Sequence, residues 1–347
     1  MKFDHSPSKI VLPSTALGII EQPNTGERPP TPPAIDWPSV FAQSMQAGHT
    51  FTNQSIPSRP ALLGSFLRAG DCGFVFAPRG VGKTWISLLM AGAIARGESL
   101  GEWEAGDAGP QRVCYIDGEV NLPDAIERAA LVDLPDSVHW LHHEQVGDAC
   151  GRGINLVSPA QQSALTATLK ERGINVVILD NLSCLFRGMA ENEADAWELV
   201  LEWLLELRRE GITVIVVAHS GRNGEMRGTS RREDAAHWIL KLEDASETDS
   251  RGARFKSRFT KNRNARDASA SCPPLIWSLA TDGGNLSVNC ERSNDVDALV
   301  EMVKAGLSTA GELAKEFNVS AGTISKWAKR AEAAGKIIIS ERKYLPA

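Results

Sequence analysis

Residues 77–84 read APRGVGKT, set between the apolar run Gly73-Phe74-Val75-Phe76 and the run from Trp85 to Ala91. No other feature constrains the chain so strongly. A glycine-bearing loop joining a short strand to a helix presents successive backbone N–H groups to an anion, with the positive end of the helix behind them. The pattern G-x-x-x-x-G-K-[ST] assigns Lys83 to the β- and γ-phosphates of a nucleotide and the Thr84 hydroxyl to Mg²⁺. The residues expected to line that cradle are Pro78, Arg79, Gly80, Val81, Gly82, Lys83, Thr84 and Trp85. Ala77 stands where the pattern has glycine, a mild change, because the two glycines nearest the phosphates, Gly80 and Gly82, remain. A chance Gly-Lys-Thr in a surface loop is the duller alternative; the strand before and the Ala/Leu-rich helix after are the context the motif requires.

The 347 residues suffice for one large domain and a small one. Hydrophobic content of 42% and charged content of 23% are those of a globular protein. No apolar stretch approaches the roughly 20 residues a membrane helix needs, and the start MKFDHSPSKIVLPST has no sustained apolar core, so no signal peptide is read and no membrane partner expected. Six cysteines without C-x-x-C spacing favour reduced thiols and a cytoplasmic location. The net charge of −6 argues against wholesale coating of nucleic acid, yet residues 251–266 carry seven basic side chains and no acid.

Residues 1–60 hold ten of the eighteen prolines and read as an extended or disordered leader. Residues 61–290 alternate short apolar runs with longer helical ones, the signature of an α/β fold whose mostly parallel sheet is covered on both faces. Strands are expected near 73–77, 112–117, 138–142, 174–180 and 212–218, with antiparallel additions at 236–243, 254–261 and 274–280 and a turn at Gly283-Gly284. Helices fit 83–96, 123–131, 159–172 and 192–210; in the last, Trp197, Leu201, Leu204 and Leu205 mark one buried face. Residues 295–347 change character and form a separate small domain.

Three strand ends carry polar groups suited to phosphate chemistry. Val176-Val177-Ile178-Leu179-Asp180 is a buried strand ending in a carboxylate that would hold the metal. Cys114-Tyr115-Ile116-Asp117-Gly118-Glu119 offers Glu119 as the group that orients the attacking water, although a solvated strand end reads from the same residues. Ala218-His219-Ser220 places His219 level with the phosphates, where it either senses the terminal phosphate or satisfies a local hydrogen bond.

Strand-APRGVGKT-helix followed by YIDGE, VVILD and VVAHS resembles the core of RecA-like P-loop ATPases, over residues 61–280. Within that AAA-type class it most resembles the hexameric replicative helicases of the plasmid RepA type. The resemblance implies ATP and Mg²⁺ as ligands, Glu119 as catalytic base, Asp180 as the Walker B acid and His219 as the switch. Lys261 and Arg263, in Phe259-Thr260-Lys261-Asn262-Arg263-Asn264, resemble a Lys-x-Arg element that projects into a neighbouring subunit's active site. A cation inserted there stabilises the phosphoryl-transfer transition state and couples hydrolysis to assembly. A solvated edge strand is the alternative.

Two loops, residues 186–191 and 221–227, are expected to face a ring channel, where Arg222, Arg227, Arg231 and Arg232 would grip single-stranded DNA; polar loops that merely close the fold read nearly as well. The segment TAGELAKEFNVSAGTISKWAKRAEAAGKIIISERKYL resembles a winged helix-turn-helix, with Leu313, Ala314, Ile324 and Trp327 inward and Asn318 at the turn. Ser320, Thr323, Lys326, Lys329 and Arg330 would face out, toward duplex DNA or a protein. The expectation is a Mg²⁺-ATP-dependent, hexameric DNA motor serving plasmid or mobile-element replication. The alternatives are an ATP-controlled DNA-binding regulator and a filament-forming recombination mediator.

Overall fold

The computed structural model describes residues 35–188, 194–221, 231–246, 252–265, 272–317 and 319–347. Most of the leader, Met189 to Glu191, Arg222, Arg227 and Asn318 lie outside the described residues. The chain divides into two units, Met1–Pro57 and Ser58–Ala347. In the first, α1 (Trp37–Ser44) starts at Asp36, whose side chain accepts the Ser39 N–H, with Pro38 in the opening turn. A short α2 (Gly48–Thr52) follows, and neither helix buries a residue. Residues 37–52, within the segment read from the sequence as a mostly extended or disordered leader, are largely helical.

The second unit opens with a small antiparallel ladder of β1 (Ala61–Leu63) and β2 (Leu67–Arg68). Six strands then build its parallel heart: β3 (Cys72–Ala77), β4 (Val113–Asp117), β5 (Val138–His142), β6 (Val176–Asp180), β7 (Thr213–His219) and β8 (Trp238–Asp244). They lie in the order β8-β3-β7-β6-β4-β5. Strand β7 thus separates the phosphate-loop strand β3 from the carboxylate-bearing β6, the arrangement of a RecA-like P-loop fold. Their composition explains why they sit inside: β3, β4 and β6 are buried at every position, as strands covered on both faces must be.

Alternation divides the core between the two faces. Val75 and Ala77 pack with α3 (Lys83–Arg96) on one face, joined by Val132 from α4 (Leu122–Val132). Phe74, Phe76, Ile116 and Leu179 pack on the other, with Leu165 and Leu169 of α6 (Pro159–Glu171) and Trp197, Trp203 and Leu204 of α8 (Ala194–Arg209). Between these elements lie α5 (His143–Cys150) and α7 (Leu182–Leu185), neither foreseen from the sequence, and α9 (Arg231–Ala235).

One strand expectation needs correction. The segment read as an antiparallel addition at 236–243 is β8, which runs parallel to β3 and is its direct neighbour. Its first residue decides the placement: Trp238 lies opposite Gly73, and a Cβ on Gly73 would sit 2.0 Å from the Trp238 ring. Only glycine there lets the indole lie across the strand. The antiparallel extension begins one strand later with β9 (Ala253–Asn262) and β10 (Leu275–Asp282), and adds β11 (Asn285–Arg292), which the sequence reading did not foresee, beyond the Gly283-Gly284 turn.

The chain ends in α10 (Asp295–Lys304), α11 (Ala310–Glu316), α12 (Ala321–Ala333) and a hairpin of β12 (Ile337–Ser340) and β13 (Lys343–Pro346). These elements share a core of their own, with Leu299, Leu313, Ile324, Ala328 and Ile337 buried and Ala314 and Trp327 half-buried against it. The hairpin turns through Glu341 and Arg342, both at positive φ, as a two-residue turn of primed type demands.

Candidate nucleotide site

The phosphate loop follows β3 without a break. Gly80 and Gly82 hold φ values of 81° and 102°, which other residues adopt only with strain. Gly82 is required on a second count, because a Cβ there would stand 2.6 Å from the Phe255 ring of β9. Helix α3 begins at Lys83 with no side chain capping its amino end, so its first N–H groups stay free for an anion. The Lys83 ammonium donates to the carbonyls of Pro78 at 2.8 Å and Ala77 at 3.2 Å, folding the side chain back over the loop. Burial lowers its pKa from the ordinary lysine value, and Glu119 and Asp180 oppose that shift.

The strand register brings the acids beside this loop. Asp117 and Asp180 lie opposite each other at the ends of β4 and β6, and Ala77 lies opposite His219 at the ends of β3 and β7. Asp180 is fully buried; its Oδ2 accepts the Tyr115 hydroxyl at 2.6 Å, while Oδ1 has no hydrogen-bond partner. Burial pushes its carboxyl up to about 6. A buried carboxylate oxygen left without a donor suits a divalent cation shared with the Thr84 hydroxyl, so the residues present fit Mg²⁺.

Glu119 sits in a different setting, 39% exposed on the loop after β4. Its carboxylate accepts a hydrogen bond from the Asn181 side-chain amide, and His219 Nε2 lies 3.7 Å from its Oε1. The adjacent His219 ring, aided by Lys83 and Asn181, holds the Glu119 carboxyl below its usual range, so it stands ionised as an acceptor. Asn181 also lies 3.2 Å from His219 Nε2, linking three neighbouring strand ends in one polar cluster. A carboxylate anchored in this way has the fixed geometry that the role expected of Glu119 requires.

The loop carrying Glu119 is fixed from behind. Asp117 accepts the N–H groups of Glu119 and Val120, both at 3.1 Å, and the Gly118 N–H donates to the Asp180 carbonyl at 2.7 Å. The Val120 carbonyl lies 2.9 Å from His142 Nε2 and 3.2 Å from His143 Nε2, the two rings being stacked. The His142 Nδ1 accepts the Glu144 N–H, which leaves the proton on Nε2 and makes that nitrogen the donor.

The phosphate loop and the polar strand ends meet at a cleft of about 310 Å³ lined by Arg79, Gly80, Lys83, Thr84, Trp85, Glu119, Arg128 and His219. Lys83, Thr84, Glu119 and His219 are thus gathered around one cavity, with Asp180 buried beside it. Lys261 and Arg263 are not among them. Lys261 pairs with Ile239 and Arg263 donates its N–H to the His237 carbonyl, at the end of the sheet away from the phosphate loop. Arg222 and Arg227 are outside the described residues, and Arg231 opens α9. Lys326, Lys329 and Arg330 are exposed on α12.

Sequence reasoning passed over Asp117, Asn181, His142, His143 and Arg128. Asn181 carried a signal, being the polar residue directly after Asp180, the acid expected to hold the metal. It reads as an ordinary helix cap, which it also is, since its Oδ1 accepts the Cys184 N–H at 3.1 Å. The two histidines gave none, because their partner is a backbone carbonyl.

Among solved structures, flagellar accessory protein FlaH from Methanocaldococcus jannaschii is similar to this chain with a TM-score of 0.44 and 9% identity, over 64% of this chain and 90% of that one. No curated protein matches the chain. Among the described residues no helix is long and apolar enough to cross a membrane. A family model described as AAA domain matches residues 41–225, more than half of the 347. That span contains the phosphate loop and all three polar strand ends, and the chain belongs to this AAA domain family of P-loop ATPases.

Proposed function

We propose that the protein is a Mg²⁺-ATP-driven, ring-forming DNA motor of the RepA replicative helicase type, with a C-terminal winged helix-turn-helix that contacts duplex DNA. The phosphate loop and Lys83 hold the β- and γ-phosphates, and Thr84 with Asp180 holds the Mg²⁺, which supplies charge neutralisation on the phosphate chain. Glu119, anchored by Asn181, accepts a proton from the attacking water. His219, on the strand next to the phosphate loop, links the state of that site to the loop that follows it.

The observation that carries the ring is the placement of Lys261 and Arg263. They stand at the end of β9 remote from their own phosphate loop, so as phosphate ligands they can serve only another copy's site. Three helices followed by a hairpin, around a core of their own, support the winged-domain reading, and the exposed Lys326 and Lys329 supply cations for DNA phosphates. Plasmid or mobile-element replication is the proposed setting, on the motif resemblance.

The test is strand displacement on a forked duplex, with particle size measured with and without a non-hydrolysable ATP analogue and single-stranded DNA. Displacement that needs ATP and disappears in Glu119→Gln, together with nucleotide-dependent growth to a closed ring, is the expected result. Sequence-specific duplex binding by a monomer without displacement would replace the motor with a regulator, and open filaments would replace it with a recombination mediator.

A further inference from the structure

Ser320, Thr323, Lys326, Lys329 and Arg330 are the residues that the sequence turns toward duplex DNA, and the structure divides them. Thr323, Trp327 and Arg330 stand at i, i+4 and i+7 along one flank of α12. That flank lines a cleft of about 270 Å³ shared with Glu243 of β8 and with Lys256 and Arg258 of β9. Lys326 and Lys329 do not line it and are exposed.

The cleft is not built for an anion, because its β9 cations are already paired. Arg258 donates to both carboxylate oxygens of Glu243, at 3.1 and 3.2 Å, and Lys256 pairs with Asp295 at the start of α10, both side chains being largely buried. Asp295 is held in turn by the Ser293 hydroxyl, which donates to it at 2.5 Å. The Lys256 ammonium also lies 5.4 Å from the centroid of the Trp327 ring. One lysine of β9 thus grips both α10 and α12.

An α-helix with its side chains is about 10 to 12 Å across, and the major groove of B-DNA is about 12 Å wide. A reading helix therefore fills the groove from wall to wall, and neither flank can stay packed against a sheet. With β9 beside Thr323, Trp327 and Arg330, α12 meets a duplex only through the open face that carries Lys326 and Lys329.

We propose that this flank of α12 has two mutually exclusive occupants, β9 of the same chain and duplex DNA, and that the contact of Lys256 with Asp295 and Trp327 holds the helix out of the major groove until it is released. The inference rests on reading residues 295–347 as a duplex-DNA domain. It adds the surface by which the ATPase core restrains that domain.

The test turns on a sign: removing a lysine that touches DNA weakens binding, whereas removing Lys256 should strengthen it. In fluorescence anisotropy with a labelled mixed-sequence duplex, the full chain carrying Lys256→Ala should bind roughly 5- to 30-fold tighter than the unaltered protein, the factor by which a contact of this size biases the docked form. The slope of log affinity against log salt should steepen by about one as Arg330 joins the phosphate contacts, and adding Arg330→Ala should remove that increment. Lys256→Asp combined with Asp295→Lys re-forms the pair with its signs exchanged and should return binding toward the unaltered level. Unchanged or weaker binding by Lys256→Ala would overturn the proposal, and hydrogen exchange in residues 321–333 would say how: loosened helices mean a freed flank that DNA does not use, unloosened ones a contact that holds nothing. Melting curves show whether Lys256→Ala is folded; if it is not, Asp295→Asn must by itself give the tightening. No duplex binding by the unaltered protein or by any released variant would instead defeat the DNA reading of the winged domain, a result distinct from binding that the contact leaves unaffected.

Discussion

The parallel and antiparallel halves of the sheet are built to different rules. Strands β3, β4 and β6 are buried throughout; the loops that leave β3 and β4 line the nucleotide cleft, and Asp180 at the end of β6 is buried beside it. Strands β9 and β10 alternate buried and half-exposed positions, and β11 is mostly exposed. The first half is covered by helices on both faces and can hold a charge such as Asp180 out of water. Among the described residues the second half places no polar side chain in that cleft, yet it is not idle. Phe255 of β9 lies against Gly82 of the phosphate loop, and the next residue, Lys256, pairs with Asp295 at the start of the C-terminal helices. On the proposed function one half performs the chemistry; the other supports the loop from beneath and ties it to the C-terminal helices.

If that division is right, changes in the parallel half should remove activity while leaving the fold intact. Lys83→Ala takes away the ammonium that lies over the phosphate loop, and ATP turnover should fall below detection; retained turnover would remove the site from this cleft. Glu119→Gln keeps the hydrogen bond to Asn181 in shape but loses the proton acceptor. Its kcat should drop roughly 10²- to 10⁴-fold with nucleotide affinity nearly unchanged, read by steady-state kinetics beside calorimetry.

The same division explains what the sequence disclosed. The phosphate loop and the ends of β4, β6 and β7 were legible because the chemistry there is local, each motif being a run of consecutive residues around Lys83, Glu119, Asp180 and His219. The parallel placement of β8 was not. Its seven residues WILKLED alternate well enough for an edge strand, and only the packing of Trp238 across Gly73, 165 positions earlier, fixes it beside β3. The groups that hold Glu119 in place were equally hidden, since Asp117, His142 and His143 act on backbone N–H and carbonyl groups, which leave no mark in composition or spacing. The short helix after Asp36 was lost among the prolines, although Pro38 itself suits a first turn.

Phe255 is the sharper test of support from beneath. Its ring is fully buried against the phosphate loop, and Phe255→Ala should cost about 3 to 5 kcal/mol of stability. A cavity under Gly82 should also raise KM for ATP more than it lowers kcat, because the loop that binds the phosphates loses its floor while Glu119 and Asn181 are untouched. A fall in kcat alone would place the antiparallel half in the chemistry and dissolve the comparison.

Asp180 offers a smaller effect of opposite sign. A buried carboxylate with one oxygen lacking a donor is a burden on the protein without metal. Asp180→Asn should therefore melt at the same temperature or a few degrees higher in the presence of a chelator, while losing Mg²⁺-dependent turnover and the stabilisation that Mg²⁺-ATP gives the unaltered protein. A lower melting temperature in chelator would mean that the carboxylate is held by the fold for its own sake.

The smallest effect expected is at the outer link. The Lys256 ammonium pairs with Asp295 and lies 5.4 Å from the Trp327 ring centroid, with its side chain 16% exposed and that of Asp295 14%. A half-buried pair of this kind contributes on the order of 1 to 2 kcal/mol, too little to unfold either side but enough to hold α10 and α12 against β9. Lys256→Ala should therefore speed hydrogen exchange in residues 295–333 while β3, β6 and β7 keep their protection and ATP turnover stays within about twofold. If exchange in the phosphate loop rises as well, Phe255 and Lys256 act as one rigid lever between the nucleotide and the C-terminal helices; if only the helices loosen, β9 is a floor to one side and a tether to the other, with no signal passing between them.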